Sequence, residues 1–181
     1  MAHTLWTIGH SNRPIEEFIE LLRAHGILLV VDVRTMPRSR SNPQFNADAL
    51  AQALRHTDLQ YHHVPGLGGL RKPKKNSINL GWRNESFRGY ADYMQTDNFR
   101  TALDELVEAG RQSHTAIMCA EAVPWRCHRS LIADVLTIQG WTVRHITNRH
   151  EARVHSLTSF AMARGETLTY PLPSKDQSNL F

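Results

Sequence analysis

The sequence predicts an α/β fold, a single three-layer domain over residues 1–172 with helices flanking a mostly parallel sheet. Three observations carry that expectation. Short apolar runs of β-type residues alternate along the chain with segments of helical period, the pattern of a parallel sheet crossed over by helices. The stretch "ILLVVDV" (27–33) is apolar apart from Asp32, as a strand buried on both faces must be. The chain has 181 residues with no internal repeat, a length that suits one hydrophobic core.

The elements follow in order. "LWTI" (5–8) reads as the first strand and "GHSNR" as the loop after it. Pro14 suits the first turn of a helix, and Glu16 and Glu17 complement its positive end. Phe18, Leu21 and Leu22 form its apolar face, and Gly26 stops it. After the strand at 27–33 comes "RTMPRSRSNPQF" (34–45), where two prolines and clustered Ser and Asn forbid regular structure. Asn46 is expected to cap a helix through Arg55, with Leu50 and Leu54 four apart. "LQYHHV" (59–64) is the third strand. It leads into a basic, glycine-rich stretch over 65–84 that reads as irregular and mobile. Residues 87–110 read as helical with one break, ending on Gly110. "HTAIMCA" (114–120) is the fourth strand, and Pro124 opens a helix through Gln139 lined by Leu131, Ile132, Val135 and Ile138. "WTVRHI" (141–146) makes the fifth strand, and the tail 173–181 is expected to fray.

Charged residues make up 21% and hydrophobic residues 41%, the balance of a globular rather than a disordered chain. No apolar run approaches the roughly 20 residues that span a bilayer, so no membrane partner is expected. "MAHTLWTIGH" lacks the charged and apolar regions of an export signal. Two cysteines, eight positions apart, are a poor disulfide framework. Reduced thiols and a cytoplasmic location are therefore expected. The net charge of +4 favours an anionic partner, a phosphate-bearing small molecule or a nucleic acid.

In a parallel sheet every strand-to-helix loop leaves from the same edge, and ligands bind there. His10 and Ser11 follow strand one, Asp32 and Arg34 close strand two, and His63 follows strand three. Cys119 and Glu121 close strand four, with Arg126, Cys127, His128 and Arg129 just beyond. Segments distant in sequence thus deliver polar chemistry to one rim.

The stretches that carry these residues are "TIGHS", "VDVR…P…SRSNPQF", "GLGGLRK", "GWRNESFRGYADYM" and "IMCAEAVPWRCHRSLIAD". With them the chain resembles the bacterial and archaeal family called domain of unknown function 488, from about Leu5 to about Pro171. The resemblance implies an α/β domain and no particular reaction.

The chemistry is read from the residues themselves. Cys119 at a strand end is a candidate nucleophile, with Arg126, Arg129 and a helix start favouring its thiolate, or else a packing residue. Six residues separate Cys119 from Arg126, so the five-residue phosphatase spacing is not met. Glu121 shares a side of the strand with Cys119 and suits a general base, or an ion pair with Arg34 or Arg129. His10 is placed to hold an oxyanion or to move a proton, and Asp32 with Arg34 to orient a substrate. The catalytic candidates are therefore Cys119, Glu121, His10 and Asp32. The ligand-binding candidates are Ser11, Arg34, Arg38, His63, Arg71, Arg126, Cys127, His128 and Arg129. No metal ligand or cofactor is assigned, because CxxC and HExxH spacings are absent. His10, Cys119, Cys127 and His128 nevertheless have the donor atoms for a zinc or iron site. The expected function is an enzyme (a hydrolase or transferase) or a ligand-binding domain acting on a phosphate-bearing ligand. Two alternatives stand beside it. One is a nucleic-acid-binding module using the basic loops 34–45 and 66–90, where cations interleave with Phe45, Trp82, Phe87 and Tyr90. The other is a metal-dependent enzyme with Cys and His ligands.

Overall fold

Six strands form the central sheet in the computed structural model, which describes residues 3–172. In spatial order they are β3 (Gln60–His63), β2 (Leu29–Asp32), β4 (Thr115–Cys119), β1 (Thr4–Gly9), β5 (Thr142–Ile146) and β6 (Ala152–Val154). The first five run parallel, and β6 pairs antiparallel with β5. Side chains alternate across each strand, so every strand feeds two cores. Ile8, Val30, Ala116 and Met118 pack under α1 (Ile15–Ala24) and α2 (Ala47–Arg55). Leu5, Val31, Ile117 and Cys119 pack under α3 (Glu85–Tyr93), α4 (Asp97–Gln112) and α5 (Arg129–Ile138). A hairpin of β7 (Met162–Arg164) and β8 (Thr167–Thr169) completes the fold. The tail 173–181 lies outside the described residues.

This order places the site. The chain leaves β1 and β2 toward one face of the sheet and leaves β4, which lies between them, toward the other. Such a reversal opens a crevice at the carboxyl ends of the strands. Register keeps those ends level, with Gly9 opposite Cys119, Asp32 opposite Met118, and Asp32 opposite His63.

Several local expectations are corrected. Gly110 does not end its helix. It lies inside α4, where an added Cβ would sit 3.1 Å from Leu5 and 3.2 Å from Trp141, so packing rather than termination calls for glycine. The segment after Pro124 is a short 3-10 turn, Pro124–Arg126, and α5 begins only at Arg129, after a break at Cys127 and His128. Asn46 precedes α2, but its side chain accepts from the Ser39 amide at 2.7 Å instead of capping the helix. The stretch 65–84 is irregular, yet it is pinned. Asp92 accepts from the Lys74 amide, Ser77 and Asn79, while Tyr90 and Tyr93 donate to the carbonyls of Leu67 and Gly66.

Under α5 lies a chain of buried polar groups. Arg129 donates to the Thr7 hydroxyl at 3.3 Å, and Thr7 lies 2.7 Å from His145 Nδ1. His145 Nε2 meets His155 Nδ1 at 2.9 Å, and His155 Nε2 meets Asp134 at 2.8 Å. Burial pushes the His145 imidazole down to about 4, with the positive fields of His155 and Arg129 adding to the effect. A free imidazole titrates near 6.5, so the unfolded chain binds this proton first as pH falls. The neutral ring therefore contributes up to about 3 kcal/mol that is present above pH ~6.5 and lost as pH drops toward 4. Urea midpoints taken between about pH 7 and about pH 4.5 should fall, and His145→Gln should flatten that slope.

Candidate functional site

The loops after β1 and β4 are joined by their backbones. The amides of His10 and Ser11 donate to the carbonyls of Cys119 and Ala120, each at 2.9 Å. Gly9 permits this approach, since a Cβ there would collide with the Glu121 carbonyl oxygen. Ser11 takes a positive φ of 51° as the chain turns away toward α1.

Between these loops and the one after β2 is a cleft of about 770 Å³. Its lining includes Ser11, Asn12, Arg34, Arg38, Ser39 and Asn42, all of them charged or neutral-polar donors, together with Cys119, Glu121 and His128. A second cleft of about 250 Å³ reaches the same wall from the α3 side, lined by Cys119, Glu121, Arg126, Cys127 and His128. Cys119, Glu121 and His128 thus stand between two openings.

The floor is a buried ion pair. Asp32, without solvent exposure, receives Arg34 Nε at 2.9 Å and Nη2 at 2.6 Å, and Tyr61 donates to it at 2.8 Å. Burial alone would lower the Arg34 pKa, but the Asp32 carboxylate outweighs burial and raises it. Arg34 Nη1 meets His10 Nε2 at 3.2 Å. The other ring nitrogen of His10 bonds the Ser11 carbonyl at 2.7 Å, and the ring stacks on Phe45. Burial pushes this imidazole down to about 4, so it is neutral at physiological pH. His10, expected to hold an oxyanion or move a proton, and Asp32, expected with Arg34 to orient a substrate, both bond Arg34. His63 buttresses the same loop, donating to the Arg34 carbonyl at 2.8 Å.

The wall is built from sulfur and nitrogen. Among the described residues, Cys119, Cys127 and His128 bring one donor atom each within 4.8 Å of the others. His10 does not join them. Both cysteines are free and buried. Hydrogen bonding from Cys127, then burial, raises the Cys119 thiol. The Cys127 thiol is held well below its usual range, first by the Cys119 hydrogen bond and further by His128 and Arg129. Within the pair, these contacts favour charge on Cys127 over Cys119. Arg129, fully buried, donates Nε to Cys127 at 3.4 Å and Nη2 to the Glu121 carbonyl.

Glu121 is exposed, and its carboxylate accepts from the Val123 amide at 3.1 Å. Neither expected ion-pair partner reaches it. Arg34 is on Asp32, and Arg129 takes the Glu121 backbone instead. Arg38 stands at the mouth of the larger cleft and Arg126 at that of the smaller, both exposed. Arg71 is turned inward, stacked 3.7 Å over the Tyr93 ring and bonded to the Gly68 carbonyl.

Compared with known families, residues 14–136 match the model of the Domain of unknown function DUF488. The chain belongs to this family. The DUF488 match runs from just before α1 into α5. It takes in Asp32, Arg34 and the whole wall from Cys119 to Arg129, and stops short of His10 and Ser11. No curated protein and no solved structure matches the chain.

Some lining residues carry no signal in the sequence. Asn12, Thr35, Ser39 and Asn42 sit in Ser/Asn-rich loops, where composition does not distinguish a ligand contact from a turn. His145, His155 and Asp134 come from three separate elements and meet only through folding. No helix of the described residues is long and apolar enough to cross a membrane.

Proposed function

We propose that the chain is a cytoplasmic enzyme that hydrolyses or transfers a group of a small phosphate-bearing ligand, such as a nucleotide, in the cleft at the carboxyl edge of the sheet. One observation carries the reading. A single cavity is lined by cationic and neutral-polar donors, by a cysteine–histidine cluster, and by a carboxylate with no cationic partner among the described residues. The anion's contacts fall to Arg38, to Arg34 Nη1, and to the side chains of Ser11 and Asn42. Asp32 and His10 are positioning residues, since each acts by fixing Arg34. Glu121 moves the proton, because it is the acidic group that lines the cleft and has no cationic partner among the described residues.

The nucleic-acid reading has less support. Its aromatic rings are taken up in packing, with Trp82 stacked on Phe87 at 4.8 Å and Tyr90 buried. Arg88 is bonded to the Trp82 carbonyl. Lys72, Lys74 and Lys75 remain as solvated charge on a pinned loop. Lys74→Ala with Lys75→Ala should leave turnover within about twofold of the parent, as surface changes away from a site do.

The test is turnover of a panel of phosphomonoesters, phosphodiesters and nucleotides by the full chain, by Arg38→Ala and by Glu121→Gln. Turnover of at least one class, lost in both variants, is expected. Turnover that survives intact in both defeats the scheme.

A further inference from the structure

We propose that Cys119, Cys127 and His128 bind one zinc-type divalent cation, with the fourth coordination position open to the cleft. The inference deepens the phosphate-ligand reading above and rests on it only for the substrate, not for the metal.

Three observations agree. The first is spacing. A tetrahedral zinc with sulfur at about 2.3 Å and nitrogen at about 2.05 Å has a sulfur–nitrogen edge of about 3.6 Å. Cys127 Sγ and His128 Nδ1 are 3.7 Å apart, and the Cys119 sulfur completes a triangle with no side above 4.8 Å. The second is orientation. His128 Nε2 donates to the Val33 carbonyl at 3.1 Å, which leaves the Nδ1 lone pair toward the sulfurs. A metal-ligating histidine is usually fixed in this way through its other nitrogen. Arg129 supports the Cys127 sulfur by a hydrogen bond at 3.4 Å, as a second layer around a thiolate ligand does. The third is the opening. Cys119 and His128 line both clefts, and Glu121 lines the same two. Three protein ligands with one open position describe a catalytic rather than a structural zinc, and a two-sulfur, one-nitrogen donor set suits zinc over magnesium or calcium.

The chemistry balances for hydrolysis. Water on the cation gives a proton to the Glu121 carboxylate. The resulting hydroxide forms a bond to the substrate phosphorus as the bond to the leaving oxygen breaks, and that oxygen takes the proton back from Glu121.

Cobalt titration of the reduced, metal-stripped full chain tests the proposal. One equivalent of Co²⁺ should produce the near-ultraviolet sulfur-to-metal absorption and visible bands of a tetrahedral site, both displaced by Zn²⁺. Cys127→Ser and His128→Gln should weaken binding at least about 10-fold, while Glu121→Gln should bind as the parent does. Absence of the sulfur band in the parent overturns the proposal, and that result needs no variant to fold. A band unchanged in Cys119→Ser and Cys127→Ser overturns it as well. The two readings fail separately. A sulfur band without phosphoester turnover upholds the metal site and removes the substrate assignment. Turnover in metal-stripped protein that shows no sulfur band removes the metal and leaves the cleft.

Discussion

Asp134→Ala is expected to lose about 3–5 kcal/mol of folding stability, the scale for removing one partner of a buried charged or multiply bonded group. Asp134 has no solvent exposure and accepts from His155 Nε2, the Thr158 amide, the Thr158 hydroxyl and the Tyr170 hydroxyl, at 2.7 to 2.9 Å. Alanine leaves all four donors without this partner, the Tyr170 hydroxyl buried and those of His155 and Thr158 at least partly buried. The loss reaches further than the residue itself, because these bonds tie α5 to the segment after β6 and to Tyr170. Asp134 also ends the polar chain that runs through His155, His145 and Thr7 to Arg129. Urea unfolding measures it. A loss below about 1 kcal/mol would mean that water replaces the carboxylate without strain.

The second large effect is on catalysis. Glu121→Gln should lower kcat by about 10²–10⁴-fold, the usual contribution of a positioned proton-transfer group. Glutamine is nearly the same shape, and its amide oxygen can accept from the Val123 amide as Glu121 does at 3.1 Å. Stability should therefore stay within about 0.5 kcal/mol of the parent, as for most exposed positions. KM should change little, because the phosphate contacts fall to Arg38 and Arg34 rather than to Glu121. A raised KM with unchanged kcat would make Glu121 a binding group instead.

The architecture was legible because it rests on periodicity. An apolar "ILLVVDV" can be little other than a buried parallel strand, and the helical spacing of Leu50 and Leu54 fits α2. The rim was legible for the same reason, since alternation of strands and helices decides which loops share an edge. Exact partners were not. That Arg34 faces Asp32 follows from their positions either side of Val33, but that His10 lies against Arg34 depends on β1 and β2 being separated by β4. The helix predicted from Pro124 fails because Cys127 and His128 adopt a break that points sulfur and imidazole together. Helix propensity carries no information about such a break. Gly110 misleads similarly, because a packing glycine and a terminating glycine are identical as letters.

The most direct test of the cleft is amide NMR of the full chain titrated with a nucleoside monophosphate. Shifts concentrated at residues 10–12, 34–42 and 119–128 are expected, together with loss of the response in Arg38→Ala. Shifts confined instead to residues 72–88, fading steeply with added salt, would contradict the account and make the chain a backbone-binding module.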